Sequence, residues 1–180
     1  MKTLTLFFLI VFTTLCSVNA QITEGNWMVG GDAHFTSNNL NGDTFTEIRI
    51  NPNAGYFILD KLAGGLQLNL DFTNTTPDES NNTASFYGFA PYARYYFLNT
   101  HKRINIFTEA SYSFRFGNYG RGNTINWNGY GIKAGTALFF NNSVGIEFSL
   151  NYTDTSRKAD NYRVKTLIVG FGFQIHLEKK

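Results

Sequence analysis

The sequence predicts an all-β fold, an eight-stranded antiparallel up-and-down barrel that crosses a membrane with its strands. Three observations predict it. Eight segments alternate apolar and polar residues with a period of two, which is typical of strands. The connections between these segments alternate between short and long. Only 16% of the 180 residues are charged, whereas about 25% is usual in a soluble domain. A chain of this length forms one domain.

The overall composition narrows the class of protein. With 15 Lys and Arg against 13 Asp and Glu, the formal net charge is only +2. A nucleic-acid-binding protein would need a basic excess or a basic stripe, so this class is excluded. The hydrophobic content of 43% argues against a disordered chain.

Residues 1–20 are predicted to be a cleavable signal peptide, which leaves the barrel domain at 21–180. Lys2 gives a positive start, residues 4–12 are apolar, and Val18 and Ala20 occupy the small-residue positions before the cut. The apolar run is too short to span a bilayer. Cleavage would remove Cys16, the one cysteine, so the exported chain would have no disulfide and no cysteine ligand for a metal.

The segment 104–116 shows the period most clearly. Its even positions are Ile, Ile, Thr, Ala, Tyr, Phe and Phe, and its odd positions include Asn105, Glu109 and Arg115. A strand places two such sets on opposite faces. In chain order, the predicted strands are 27–36, 45–57, 62–73, 85–97, 104–116, 127–140, 143–153 and 163–177. Each strand contains an uncharged row of alternate residues. These rows are the odd positions of 27–35, 87–97 and 167–177, and the even positions of 48–56, 62–72, 104–116, 130–140 and 144–152.

The connections define two different ends. Those at 57–61, 98–103 and 141–142 are short, and those at 37–44, 74–84, 117–126 and 154–162 are long and rich in Asn, Asp, Thr, Ser and Gly. We therefore predict a meander with a short-turn end and a loop end.

The uncharged rows could face inward, as in a soluble lipocalin-type barrel, or outward, as in a membrane barrel. Two patterns favour the membrane. The opposite rows hold few charges for a soluble surface: Asp32, Glu47, Arg49, Asp71, Arg94, Glu109, Arg115, Lys133 and Glu147. The uncharged rows also carry aromatic residues near both ends, as the two interfaces of a membrane barrel require. These are Trp27, Tyr56, Tyr95, Phe97, Phe140 and Phe173 at the short-turn end, and Phe35, Phe72, Tyr87, Phe114, Phe116, Tyr130 and Tyr152 at the loop end.

The lumen of an eight-stranded barrel is only wide enough for side chains to fill. Because an isolated buried charge is very costly, we predict a mutually neutralising lumen charge network of Glu47, Arg49, Arg94, Glu109, Arg115, Lys133 and Glu147. Such a network either stabilises the barrel or, by exchanging partners, gates a narrow ion path. The sequence leaves both open.

Candidate catalytic residues are Asp32 and His34 with Ser111, Ser113 or Ser149, but a triad is defined by geometry that a sequence does not supply. We expect no catalytic site, no cofactor and no metal site, since the three histidines lie on different strands or turns. The loop end offers aromatic and basic groups that could bind an extracellular ligand or the phosphates of outer-leaflet lipid: Tyr119, Arg121, Trp127, Arg157 and Lys158, with Tyr162 nearby.

Four stretches carry a family resemblance: 51–57 (NPNAGYF), 90–97 (APYARYYF), 137–147 and 172–177. With them, the chain resembles the small eight-stranded outer-membrane barrels of the OmpA/OmpX type in Gram-negative bacteria. The last strand is similar to the assembly signal of that family at Gly172, Ile175 and Leu177, although the chain ends in Glu-Lys-Lys and not in an aromatic residue. The resemblance implies an outer-membrane location, periplasmic termini, extracellular long loops, and outer-membrane lipid and the barrel assembly machinery as partners.

The expected protein is therefore a monomeric integral outer-membrane barrel, with a structural or surface-interaction role and a lumen that is at most a narrow channel. Two alternatives stay open. One is a secreted lipocalin-like carrier of an apolar ligand, and the other is a barrel-embedded lipid-modifying enzyme.

Overall fold

A computed structural model describes residues 22–40, 43–76, 84–119, 124–160 and 162–178. They form a closed barrel in which each strand pairs antiparallel with its neighbours and the last pairs with the first, which confirms the predicted fold class. The strands are β1 (Trp27–Leu40), β2 (Asp43–Leu59), β3 (Leu62–Thr76), β4 (Ala84–Tyr96), β5 (Ile104–Tyr119), β6 (Ile125–Phe139), β7 (Val144–Arg157) and β8 (Arg163–Leu177). The predicted signal peptide, 1–20, lies outside the described residues. No helix in the described part of the chain is long and apolar enough to cross a membrane.

The strands extend further toward the loop end than the sequence predicts. β1 and β2 continue to Leu40 and Asp43, so most of the predicted loop 37–44 is strand. β3, β5 and β7 likewise run three or four residues beyond the predicted 73, 116 and 153. The prediction was wrong here because it ended each strand where the apolar row ends. Backbone pairing needs no apolar row, and Thr and Asn continue the ladder, as the hydrogen bond from Asn39 Nδ2 to Thr44 Oγ1 (3.2 Å) shows.

The stagger of the strands fixes the width of the barrel. Successive ladder partners from Trp27 lead around the wall through Tyr56, Gly64, Ala93, Ala110, Ile132 and Tyr152 to Leu167. Trp27 itself pairs with Leu177, ten residues away (177 − 167). Eight strands with a stagger of ten give a tilt of roughly 40° and a backbone radius of roughly 8 Å.

The outer wall is apolar, and the predicted orientation is confirmed. Large apolar side chains of all eight strands are exposed, among them Ile50, Leu66, Leu68, Ile132 and Leu150, whereas the buried set includes Arg94, Glu109, Lys133 and Glu147. A soluble protein would not expose a continuous apolar surface of this size. The predicted aromatic residues of the wall pack beside one another at both levels, for example Trp27 with Tyr56 (5.2 Å between centroids) and Phe72 with Tyr87 (6.0 Å).

The lumen at the short-turn end is filled by an apolar cluster, which we call the base plug. It consists of Ile22, Met28, Phe57, Ala63, Tyr92, Tyr96, Phe107, Ala137 and Phe139. Ile22 precedes β1 and is held there by backbone bonds from Lys61 N to Ile22 O and from Gly25 N to Phe57 O, both 2.9 Å. The phenol of Tyr92 lies across Gly65, where a Cβ would stand 2.5 Å from its hydroxyl oxygen. The sequence prediction missed this plug, because Phe57, Phe107 and Phe139 lie on rows that it treated as polar.

The seam between β1 and β8 is paired over only part of its length. β1 pairs with β8 from Trp27 to Ala33, opposite Leu177 to Phe171, whereas β1 pairs with β2 along its whole length. Above Ala33, the imidazole of His34 lies against Gly170, with Cε1 3.2 Å from where a Cβ would stand. The described residues of the two strands form no ladder pair from there to the loop end.

Candidate functional site

The lumen contains two groups of ion pairs at different heights, and the lower group surrounds Arg94. Its guanidinium donates from Nε to Glu109 Oε2 (2.8 Å) and from Nη1 to Glu147 Oε1 (2.6 Å). It lies over the ring of Phe107, with Cζ 4.5 Å from the centroid. Arg94 therefore stands on the base plug and joins β4 to both β5 and β7 across the lumen.

The lower group continues through Lys133 to β1. The Lys133 ammonium lies 3.4 Å from Glu109 Oε1 and donates to Asp32 Oδ2 at 2.9 Å. The other oxygen of Asp32 accepts from Asn51 Nδ2 (2.6 Å) and contacts His34 Nε2 (3.0 Å). This chain of contacts crosses the lumen from Glu147 on β7 to His34 on β1.

The upper group is centred on Asp71. Its two oxygens accept from Arg49 Nε (2.8 Å) and Arg115 Nη1 (2.9 Å), and Arg49 Nη2 donates to Glu47 Oε1 (2.6 Å). These side chains form the floor and one wall of a vestibule of about 260 Å³, which the rings of Phe86 and Trp127 also line. A smaller polar cavity of about 50 Å³ lies between the two groups, beside Asn69 and Ser113, and is wide enough for one or two waters.

The two groups are nearly neutral. The upper group holds two acids and two bases, and the lower holds three acids, two bases and His34, whose contact with Asp32 is an ion pair only when the ring is protonated. In a lumen that excludes most water, such pairing offsets the large cost of desolvating each ion.

All seven residues of the predicted lumen charge network take part: Glu47, Arg49, Arg94, Glu109, Arg115, Lys133 and Glu147. The structure adds Asp32 and Asp71 to them. Both lie on the charged rows, but no sequence pattern indicated that Asp71 would bridge Arg49 and Arg115 or that Asp32 would pair with Lys133.

The catalytic candidates are only partly brought together. His34 contacts Asp32, and Ser149 Oγ and His34 Cε1 both approach Gly170. No hydrogen bond between His34 and Ser149 is found among the described residues, and Ser113 Oγ donates to the carbonyl of Gly129 (3.2 Å). A nucleophile needs a base within hydrogen-bonding reach, so the geometry offers an ionic network and not a triad. No group of three or more His, Cys, Asp or Glu in the described ranges could hold a metal ion.

At the loop end, three predicted candidates form one cluster around Arg157. Its guanidinium lies against the rings of Trp127 (5.6 Å) and Tyr162 (5.3 Å), which also contact each other, and donates from Nε to Asp160 Oδ1 (2.7 Å). That hydrogen bond lowers the pKa of the exposed Asp160 carboxyl below its usual value. Arg157 ends β7 and does not lie in a loop, which corrects the predicted loop 154–162. Lys158 follows it and lines a surface depression beside Asn126. Arg121 and the side chain of Tyr119 lie outside the described residues.

A closed barrel with an apolar outer wall, aromatic residues at both levels and a charged lumen is the architecture of a membrane-spanning β-barrel protein. Comparison with known protein families identifies the family. The sequence model of the family described as outer membrane protein β-barrel domain matches residues 7–174. The chain belongs to this family of the Gram-negative outer membrane.

Two solved structures share the fold. Neisserial surface protein A is 15% identical with a TM-score of 0.64, and the match covers 84% of this chain and 97% of that one. The outer membrane protein OprG from Pseudomonas aeruginosa is 12% identical with a TM-score of 0.55, covering 89% of this chain and all of that one. No curated protein sequence matches the chain.

Proposed function

We propose that this outer-membrane barrel has a structural or surface-interaction role, that it is not an enzyme, and that its lumen is closed to solutes. The observation that carries the proposal is the double closure of the lumen. The base plug fills the short-turn end, and Arg94, itself fully buried, bridges the wall directly above it through Glu109 and Glu147. A gate would require Arg94 to leave two carboxylates at once, which would leave buried charges without partners.

The lipocalin-like alternative has less support. The cavities inside the barrel are lined by charged and polar side chains, including Arg49, Asp71 and Arg115, which suit water and ions and not an apolar ligand. The lipid-modifying alternative lacks a nucleophile hydrogen-bonded to a base among the described residues.

The closure is tested by conductance in planar bilayers. We expect the refolded barrel to pass no steady current, and a variant with Phe57→Ala, Tyr96→Ala, Phe107→Ala and Arg94→Ala to pass a measurable one, because the plug would lose three rings and the bridge above it would be removed. A variant with Ile58→Ala and Ile106→Ala, whose side chains face outward, is the control and should stay closed. Steady conductance of the unmodified barrel would contradict the proposal.

We further propose that residues 1–20 are removed on export, that the short turns face the periplasm and that the loop end is extracellular. Because the exported chain would have no cysteine, single cysteines report topology cleanly. In intact cells, an impermeant maleimide should label Ala159→Cys, in the turn after β7, and spare Lys102→Cys, in the turn before β5. Both residues are exposed. Labelling of Lys102→Cys alone would mean the opposite orientation.

A further inference from the structure

The outward row of β8 changes from charged to apolar along its length. It begins at the loop end with Arg163 and Lys165 and continues with Leu167, Val169 and Phe171. Arg163 and Lys165 are the only cations on the outward rows of the eight strands as described. Cations at the membrane interface above a run of apolar side chains match an amphiphile with an anionic head.

The apolar part of this row borders the open half of the seam. Val169 (75% exposed), Phe35 (70%) and Leu167 (68%) are the three most exposed large apolar side chains described. They flank the place where β1 and β8 have ceased to pair. Because these side chains leave more apolar surface uncovered than others on the wall, an acyl chain that packs here gains the most apolar contact.

Below the open half, the wall contains an apolar groove of about 380 Å³. Its floor is the backbone of Gly31 and Gly172, its sides are Ile50, Pro52, Phe171 and Phe173, and Ala33 lies in it. The groove follows directly from Val169 at the seam, because Ala33 and Phe171 are the last ladder pair. The outward row from Lys165 to Phe171 spans roughly 20 Å along the strand, and the tilt of roughly 40° makes this about 15 Å in depth, half the hydrocarbon thickness of a bilayer.

We propose that the β1–β8 seam is a binding site for one phosphorylated glycolipid of the outer leaflet. Its phosphate lies at Lys165 and Arg163, and an acyl chain runs over Leu167 and Val169 into the groove at Ala33. Asp154 faces the same cations: it is the ladder partner of Lys165 and forms an ion pair with Arg163, whose Nε lies 2.7 Å from Asp154 Oδ1. Lys165 is therefore the cation left to bind the phosphate directly, and Arg163 contributes after its pair with Asp154 loosens. The choice of an outer-leaflet lipid rests on the proposed orientation of the barrel.

Native mass spectrometry of the full barrel, folded in detergent, tests the site with diphosphorylated lipid A as the probe. We expect one lipid retained per barrel. Lys165→Gln should lower the retained fraction about five-fold, since a cation near the membrane surface contributes about that factor, and removal of the phosphates from the probe should do the same. Lys102→Gln removes an exposed cation from the turn before β5, at the opposite end, and should have no effect.

The groove is tested separately by Ala33→Phe, which fills it without adding polarity. Retention should fall, whereas Ala110→Phe, on the outward row of β5, should leave it unchanged. The inference would be overturned if Lys165→Gln retained as much lipid A as the unmodified barrel. It would also be overturned if the unmodified barrel retained dephosphorylated lipid A or phosphatidylglycerol as well as it retains diphosphorylated lipid A. The heat-dependent gel shift of a folded barrel is measured in every sample. If that shift is present and no lipid is retained, the lipid site fails alone; if the shift is absent, the membrane barrel itself fails.

Discussion

Arginine substitutions at two equally exposed sites on the wall measure how deep each site lies in the bilayer. Leu150 on β7 and Ile104 on β5 are both 54% exposed. By exposure alone, Leu150→Arg and Ile104→Arg should therefore have the same effect on the free energy of unfolding. A bilayer around the barrel makes them different, because the cost of Arg depends on its distance from the midplane.

The register gives the difference in depth. Leu150 pairs with Ala134, which pairs with Thr108, four residues beyond Ile104 on β5. Four residues of a strand tilted by roughly 40° rise about 10 Å along the barrel axis, and two steps across the tilted sheet add about 6 Å. Leu150 then lies near the middle of the apolar band, and Ile104 lies at its short-turn edge.

We expect Leu150→Arg to lower the free energy of unfolding by about 2–4 kcal/mol and Ile104→Arg by about 0–1 kcal/mol. Reversible denaturant unfolding in lipid vesicles measures both values, with Leu150→Ala and Ile104→Ala as controls for the lost side chain. Equal costs at the two sites would refute the reasoning, and a larger cost at Ile104 would mean that the bilayer surrounds a different part of the wall.

Three further perturbations test the lumen and the rim. Arg94→Met should destabilise the barrel by about 3–5 kcal/mol in the same unfolding assay, because Glu147 loses its ion-pair partner and Glu109 keeps only Lys133 at 3.4 Å; replacing Glu147 by Gln in that background should recover most of the loss. Gly65→Ala should cost about 1–3 kcal/mol, since the new methyl group would clash with the backbone carbonyl oxygen of Ala54 and stand 2.5 Å from the Tyr92 hydroxyl, so that both must move. The Asp160 carboxyl should titrate below the usual aspartate pKa of about 3.9 by carbon-13 NMR, so that its bond with Arg157 persists above that pH and is lost as the pH falls; in Arg157→Gln the midpoint should rise.

The fold could be predicted because lipid and a narrow lumen impose opposite requirements on the two faces of each strand. The rows that end in Phe116 and Leu177 carry no charge from Ile104 and from Leu167 onward, and the structure turns them outward. The prediction was incomplete where the faces are not opposed. At the base, Phe57 and Phe107 face inward although they are apolar. Where two apolar residues are adjacent, as in Phe139 and Phe140, the sequence pattern does not indicate which of the two faces the lumen.

The site could be predicted as a set of residues but not as a set of pairs. Opposite residues on neighbouring strands, such as Arg94 and Glu109, are fixed by register, which short turns constrain. Contacts across the lumen depend on the stagger of the whole barrel: Lys133 meets Asp32, 101 residues away in the chain. No local pattern encodes that stagger, so Asp32 and Asp71 could not be assigned their partners.

Three charged pairs of the lumen stand directly opposite one another in the ladders: Arg49 with Asp71, Arg94 with Glu109, and Glu109 with Lys133. A slip of two residues between neighbouring strands would keep every oily side chain facing lipid, so hydrophobicity alone cannot reject it during assembly. Such a slip between β4 and β5 would set the Glu109 carboxylate against a tyrosine, Tyr92 or Tyr96, and leave the guanidinium unmatched. The ion pairs in the lumen thus favour the correct strand register over misaligned barrels whose outer wall would be equally apolar.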